Sequence, residues 1–100
     1  MSNTYWLNGK YIQKEDAYVS PLTHTLHYGL GAFEGVRSYI AHDEKSVNIF
    51  RLKEHTERLF ESAKIINVAI NHSVDEVMDA QLGVIKKSQL HDAYTVSYTH

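Results

Sequence analysis

Cysteine is absent from the 100-residue chain, which excludes both a disulfide framework and a thiolate metal site. Proline occurs once, where Ser20-Pro21 marks irregular chain. No apolar run approaches the length of a membrane span, and Met1-Ser2-Asn3-Thr4 has neither a basic nor an apolar leader pattern. A protein without membrane contact, in the reducing cytoplasm, is therefore expected. Long basic runs are also missing and the net charge is −2, so a nucleic-acid footprint is not supported. No repeat, linker or low-complexity segment interrupts the chain. The hydrophobic content of 43% and charged content of 22% suit one small domain spanning residues 1–100.

Glycine is scarce too, and its placement is informative. Three of the five glycines fall within Leu26-His27-Tyr28-Gly29-Leu30-Gly31-Ala32-Phe33-Glu34-Gly35-Val36-Arg37. Glycine tolerates positive φ and lets backbone or ligand approach closely, so this stretch reads as a turn that lines something. Tyr28, Phe33 and Arg37 are the groups it presents. The spacing G-x-G-x-x-x-G is one residue longer than the dinucleotide fingerprint, and it opens a strand rather than a helix. Its plain alternative is a tight turn with close packing.

Around this stretch, Tyr5–Leu7 and Lys10–Ile12 read as strands joined by an Asn8-Gly9 hairpin turn. Thr23 to Gly31 carries one helical turn that breaks at the glycines. Phe33 to Ile40 is a strand, 42–46 a polar loop and 47–50 its partner strand. Arg51 to Asn67 predicts a helix whose apolar stripe is Leu52, His55, Thr56, Leu59, Phe60, Ala63 and Ile66. A second helix begins at Ser73, which forms a capping-box pattern with Glu76. Its expected buried face is Val74, Val77, Met78, Gln81, Leu82 and Ile85, and Lys86 and Lys87 suit the dipole at its far end. Ala93 to Tyr98 reads as a final strand. Strands, two consecutive helices and a strand predict an α+β domain with helices against a small, mostly antiparallel sheet.

His24 and His27 have a spacing that can bind metal, but no third ligand is placed beside them, so no metal site is assigned. Arg58 is open to two readings. It is either a solvated residue pairing with Glu54 or Glu61, or a guanidinium poised to hold a phosphate. Tyr28, Phe33 and Tyr94 are equally compatible with core packing.

Taken together, several motifs resemble one family. They are Asn8-Gly9, Leu22-Thr23-His24-Thr25-Leu26-His27-Tyr28-Gly29, Phe33-Glu34-Gly35-Val36-Arg37, Phe50-Arg51-Leu52-Lys53-Glu54-His55-Thr56-Glu57-Arg58-Leu59 and Ser62-Ala63-Lys64. In this order they resemble the N-terminal part of branched-chain amino acid aminotransferases, class IV pyridoxal-phosphate enzymes. The resemblance runs from about Tyr5 to about Tyr94. It implies a small α+β domain that covers a larger cofactor domain, with the active site between them and a homodimer as the minimum unit. By matching position, Arg58 would bind the cofactor phosphate. Tyr28 and Phe33 would line the substrate pocket, Gly35 would leave room beside it, and Tyr94 would contact substrate near its carboxylate. The implied substrates are leucine, isoleucine or valine with 2-oxoglutarate and the corresponding 2-oxo acids.

The resemblance also implies a Schiff-base lysine in the second domain, which none of the chain's lysines matches. The chain is therefore expected to be a truncated N-terminal domain without the cofactor domain, containing no catalytic residue and inactive alone. On the last strand the family has Tyr-x-Arg, whereas this chain has Tyr94-Thr95-Val96, and Val96 cannot donate a hydrogen bond. The sequence after about Ala93 is accordingly expected to leave the family. Two other readings stay open: another class IV enzyme (a D-amino acid aminotransferase or an aminodeoxychorismate lyase), or a non-catalytic module that self-associates.

Overall fold

The computed structural model describes residues 3–100. Strands β1 (Thr4–Leu7) and β2 (Lys10–Gln13) form an antiparallel hairpin. Its turn takes positive φ at both central residues, 51° at Asn8 and 91° at Gly9, the geometry that Asn-Gly favours. After a single 3-10 turn and helix α1 (His24–Tyr28), strand β3 (Phe33–Ile40) turns back into β4 (Val47–Ile49). Helices α2 (Leu52–Ile65) and α3 (Val74–Ser88) follow, then β5 (Ala93–Tyr98). β5 pairs antiparallel with β3 from Phe33↔Tyr98 to Ser38↔Ala93.

One sheet was expected and two are found: β1-β2, and β4-β3-β5. The reason is that β1 and β5 do not hydrogen-bond to each other, although both pack on α3. Alternation along β3 turns Val36 and Ser38 inward, each 1% exposed, and leaves Phe33, Arg37 and Tyr39 on an open face. The helices cover the inward face. Leu59, Ala63, Val77 and Ala32 form the core, with Phe60, Ile66, Val68 and Ile70 against it.

The stripe expected on α2 is buried at Thr56, Leu59 and Ala63. On α3 the buried face is partly rotated from expectation. Val77, Gln81 and Ile85 are buried as expected, joined by Ala80 and Ser88, whereas Leu82 is exposed. Small residues at Ala80 and Ser88 let β1 come close, and the Thr4 amide donates to Ser88 Oγ at 2.9 Å. The capping box forms in full. Ser73 Oγ accepts from the Glu76 amide, and a Glu76 carboxylate oxygen accepts from the Ser73 amide, both at 3.1 Å.

Between the helices lies a buried polar contact. Gln81 Nε2 donates to Thr56 Oγ1 at 2.9 Å, and Thr56 Oγ1 donates to the Leu52 carbonyl at 2.7 Å. Gly83, on α3, leaves space that the Tyr11 ring fills, with a ring carbon 2.7 Å from where a Cβ would stand. The Lys87 ammonium lies 4.9 Å from the centre of that ring.

Candidate functional site

Two groups of side chains lie on opposite faces of β3. On the inward face, Glu34 alternates with Phe33 and Gly35 and meets the first turns of α2. Arg58 grips it bidentately: Nε donates to Oε2 at 2.7 Å and Nη2 donates to Oε1 at 2.6 Å. His55, one helical turn earlier, contacts Oε1 through Nδ1 at 3.0 Å. An ionised carboxylate only accepts, so Nδ1 carries the proton in this bond. The 3.5 Å approach of Arg58 Nη2 to the same nitrogen then pairs two donors and is not a hydrogen bond.

Only 11% of the Glu34 side chain remains exposed, against 63% for Arg58. The Arg58 hydrogen bonds, opposed by burial and assisted by His55, hold the Glu34 carboxyl at about 2, well below its ordinary value. The same pair raises the Arg58 guanidinium above its ordinary value.

This overturns the pairing of Arg58 with Glu54 or Glu61. Its partner is Glu34, 24 residues away, because α2 docks on the inward face of β3. The remaining Arg58 donors have no other hydrogen bond to a described residue.

The outward face is aromatic and open. Phe33 pairs with Tyr98, Gly35 with Val96 and Arg37 with Tyr94, so all project from the same side. Phe33 is 68% exposed and Tyr94 59%. Tyr94 lies diagonally across Gly35, and a Cβ at Gly35 would meet the Tyr94 hydroxyl and sit 2.6 Å from the ring carbon that bears it. The room that Gly35 leaves is thus taken by Tyr94. Arg37 lies 5.9 Å from the Tyr39 ring centre on this face.

Tyr28 stands apart at the end of α1, 72% exposed, with its ring edge-on to His24 at 5.6 Å. The helix stops at Gly29, whose φ of 67° is the left-handed cap glycine favours. Thr25 Oγ1 then donates to the Leu30 carbonyl at 2.6 Å and ties the turn together. His27, the other half of the possible metal pair, contacts the Pro21 carbonyl through Nε2 at 2.6 Å.

Phe33, Gly35 and Tyr94 are therefore brought together, while Arg58 is tied through Glu34 to the opposite face. Sequence reasoning missed Glu34, His55 and Tyr98. The signal was present: period-two alternation from the exposed Phe33 turns Glu34 toward α2, and His55 and Arg58 are three apart on that helix.

No family model matches the chain. Among curated proteins, a branched-chain-amino-acid aminotransferase of Pseudomonas aeruginosa is 46% identical over 89 residues, which are 89% of this chain and 28% of that protein. The one from Escherichia coli K12 is 45% identical over the same share of each. Among solved structures, a branched-chain amino acid aminotransferase complexed with N-(5'-phosphopyridoxyl)-L-glutamate superposes with a TM-score of 0.92 at 35% identity. The match takes in 98% of this chain and 32% of that one. The Escherichia coli enzyme gives 0.90 at 41% identity, again over 98% of this chain and 32% of its own. The resemblance read from the sequence and the small α+β fold are both borne out. The chain spans under a third of the length of the relatives it matches.

Proposed function

We propose that this chain is the N-terminal part of a pyridoxal-phosphate-dependent branched-chain aminotransferase of class IV. The whole enzyme would move the amino group of leucine, isoleucine or valine to 2-oxoglutarate. The observation that carries this reading is the match to relatives of that name, at 46% identity and a TM-score of 0.92, over a fold whose aromatic face stands open.

Pyridoxal phosphate, when bound, supplies the electron sink that transamination needs. Two features of the chain fit such a group. Arg58 is an exposed guanidinium held at a fixed angle by Glu34, with donors left over for an anion. Phe33, Tyr94 and the glycine between them make a flat apolar wall with one hydroxyl on it, suited to a branched side chain and its polar end. Tyr28, on the short helix before β3, would close the pocket from the side. In this reading Arg58, exposed beside Glu34 at the start of β3, would hold the phosphate at that end of the strand, and the cofactor would have to reach round it to meet substrate on the open face.

By the resemblance, the Schiff-base lysine would come from the second domain, and none of this chain's lysines matches it. The chain alone is then inactive, and the enzyme works in the cytoplasm as a homodimer or larger assembly. The test grafts the matched 89 residues of this chain in place of their counterparts in the Pseudomonas aeruginosa relative. The graft should form glutamate from leucine and 2-oxoglutarate, and the 100-residue chain with free cofactor should not exceed the cofactor-only rate. A folded, cofactor-loaded graft without turnover of any branched substrate refutes the reading, and so does turnover by the isolated chain.

A further inference from the structure

An arginine on a helix surface has a long stem and five N–H donors, and its direction is set by whatever holds it. The Arg58 side chain is largely exposed, so packing does not set that direction. Two of its donors, on Nε and Nη2, close on Glu34 as a side-on fork. Three donors remain, and two of them, one on each Nη, form a second parallel fork at the end of the guanidinium. The fork left for an anion is therefore aimed by Glu34.

Glu34 is itself a flexible side chain, and His55 is what pins it. Oε1 accepts from His55 Nδ1 at 3.0 Å and from Arg58 Nη2 at 2.6 Å, while Oε2 accepts from Arg58 Nε at 2.7 Å. His55 and Arg58 are three apart on α2, so both reach one carboxylate from the same side of the helix. A ring on a short stem, with 26% of the side chain exposed, is a firmer post than the arginine.

Other carboxylates compete for Arg58 along its own helix. Glu54 stands four residues before it and Glu61 three after, both within reach of a freed guanidinium. Arg51 occupies Glu54 at 3.8 Å. Glu61 is exposed and has no ion pair with a described residue. Released from Glu34, Arg58 would turn toward Glu61, and its end fork would no longer be free.

Resting on the reading of Arg58 as the phosphate anchor, we propose that His55 is a positioning residue for the cofactor. By pinning Glu34 it keeps Arg58 turned away from Glu61, with the end fork free for the phosphate. His55 touches neither the phosphate nor the substrate in this role.

The test has two arms. His55→Leu removes the donor, and His55→Asn restores it, because the asparagine amide nitrogen stands about where Nδ1 does. His55→Gln, whose amide reaches past that place, is a second loss variant should the leucine variant not fold. In the full chain, nitrogen-15 relaxation at Arg58 Nε should show a rigid group in wild type and His55→Asn, and a mobile one in the loss variants. In the aminotransferase graft, equilibrium dialysis compares pyridoxamine 5'-phosphate with pyridoxamine, which lacks the phosphate. The loss variants should bind the phosphate form at least about threefold more weakly, bind pyridoxamine as before, and recover with His55→Asn. Arg58 Nε equally rigid in the loss variants overturns the proposal. So does a loss shared by both ligands, or by neither, and the aminotransferase reading then still stands on turnover by the graft. A wild-type graft that binds the two ligands alike removes Arg58 as the anchor, and the proposal with it.

Discussion

Replacing Glu34 by glutamine removes the negative charge that Arg58 and His55 share while keeping the side chain's shape. A carboxyl held at about 2 instead of its ordinary 4.5 corresponds, taken in full, to about 3 kcal/mol of folding free energy. Solvent screens much of this, because 63% of the Arg58 side chain is exposed. A bidentate guanidinium–carboxylate pair with one partner nearly buried then leaves about 1–2 kcal/mol. The folded-state value is depressed, so this stability is fully present above the unfolded value near 4.5. It disappears as pH falls through the folded value near 2. Urea denaturation of wild type and Glu34→Gln from about pH 7 to about pH 2 checks it. The two curves should differ by about 1–2 kcal/mol near neutral pH and converge toward about pH 2. A difference that stays constant across that range, or none near neutral pH, refutes the ion pair as the source. Arg58→Met should cost more than Glu34→Gln, because it strands a carboxylate that is only 11% exposed.

Ser73→Ala removes the hydroxyl half of the α3 capping box and should cost about 1 kcal/mol, read as a lower urea midpoint with an unchanged slope. Gly83→Ala puts a methyl where the Tyr11 ring packs, but that ring is the far end of a flexible side chain, 42% exposed. The ring should swing out while α3 gains roughly 1 kcal/mol of helix propensity. The net stability change should therefore stay within about 1 kcal/mol, with tyrosine fluorescence showing the displaced ring; a larger loss would mean that Tyr11 cannot move. Leu59→Ala, in the core, should cost about 2–5 kcal/mol by the same denaturation assay.

What was legible in the sequence was local. The Asn8-Gly9 turn, the capping box at Ser73 and the alternation from Phe33 to Ile40 each follow from neighbouring residues, and each stands where expected. The open face was not legible: Phe33 and Tyr94 read equally well as core residues, and the pairing of β3 with β5 is what sets them together on an exposed side. Nor was distant pairing. Nothing within a helical turn of Arg58 announces Glu34, and the local candidates, Glu54 and Glu61, were the wrong ones. The division into two sheets was equally hidden, because it depends on how far apart α3 holds β1 and β5. The rotation of the buried face on α3 has a comparable cause. Ala80 and Ser88 are buried for their small size, which lets a strand approach, and an apolar count passes over such residues.

The Gln81–Thr56 bond works like a key in its slot. Turning α2 about its own axis would pull the amide from the hydroxyl, leaving Gln81 Nε2 with only the Val77 carbonyl of its own helix and Thr56 with only the Leu52 carbonyl of its own, at a cost of about 1 kcal/mol for the lost bond. Arg58 sits two residues beyond Thr56 on that same shaft. Its bearing toward β3 is therefore locked from the far side of the helix, by an uncharged pair that acid and salt leave untouched.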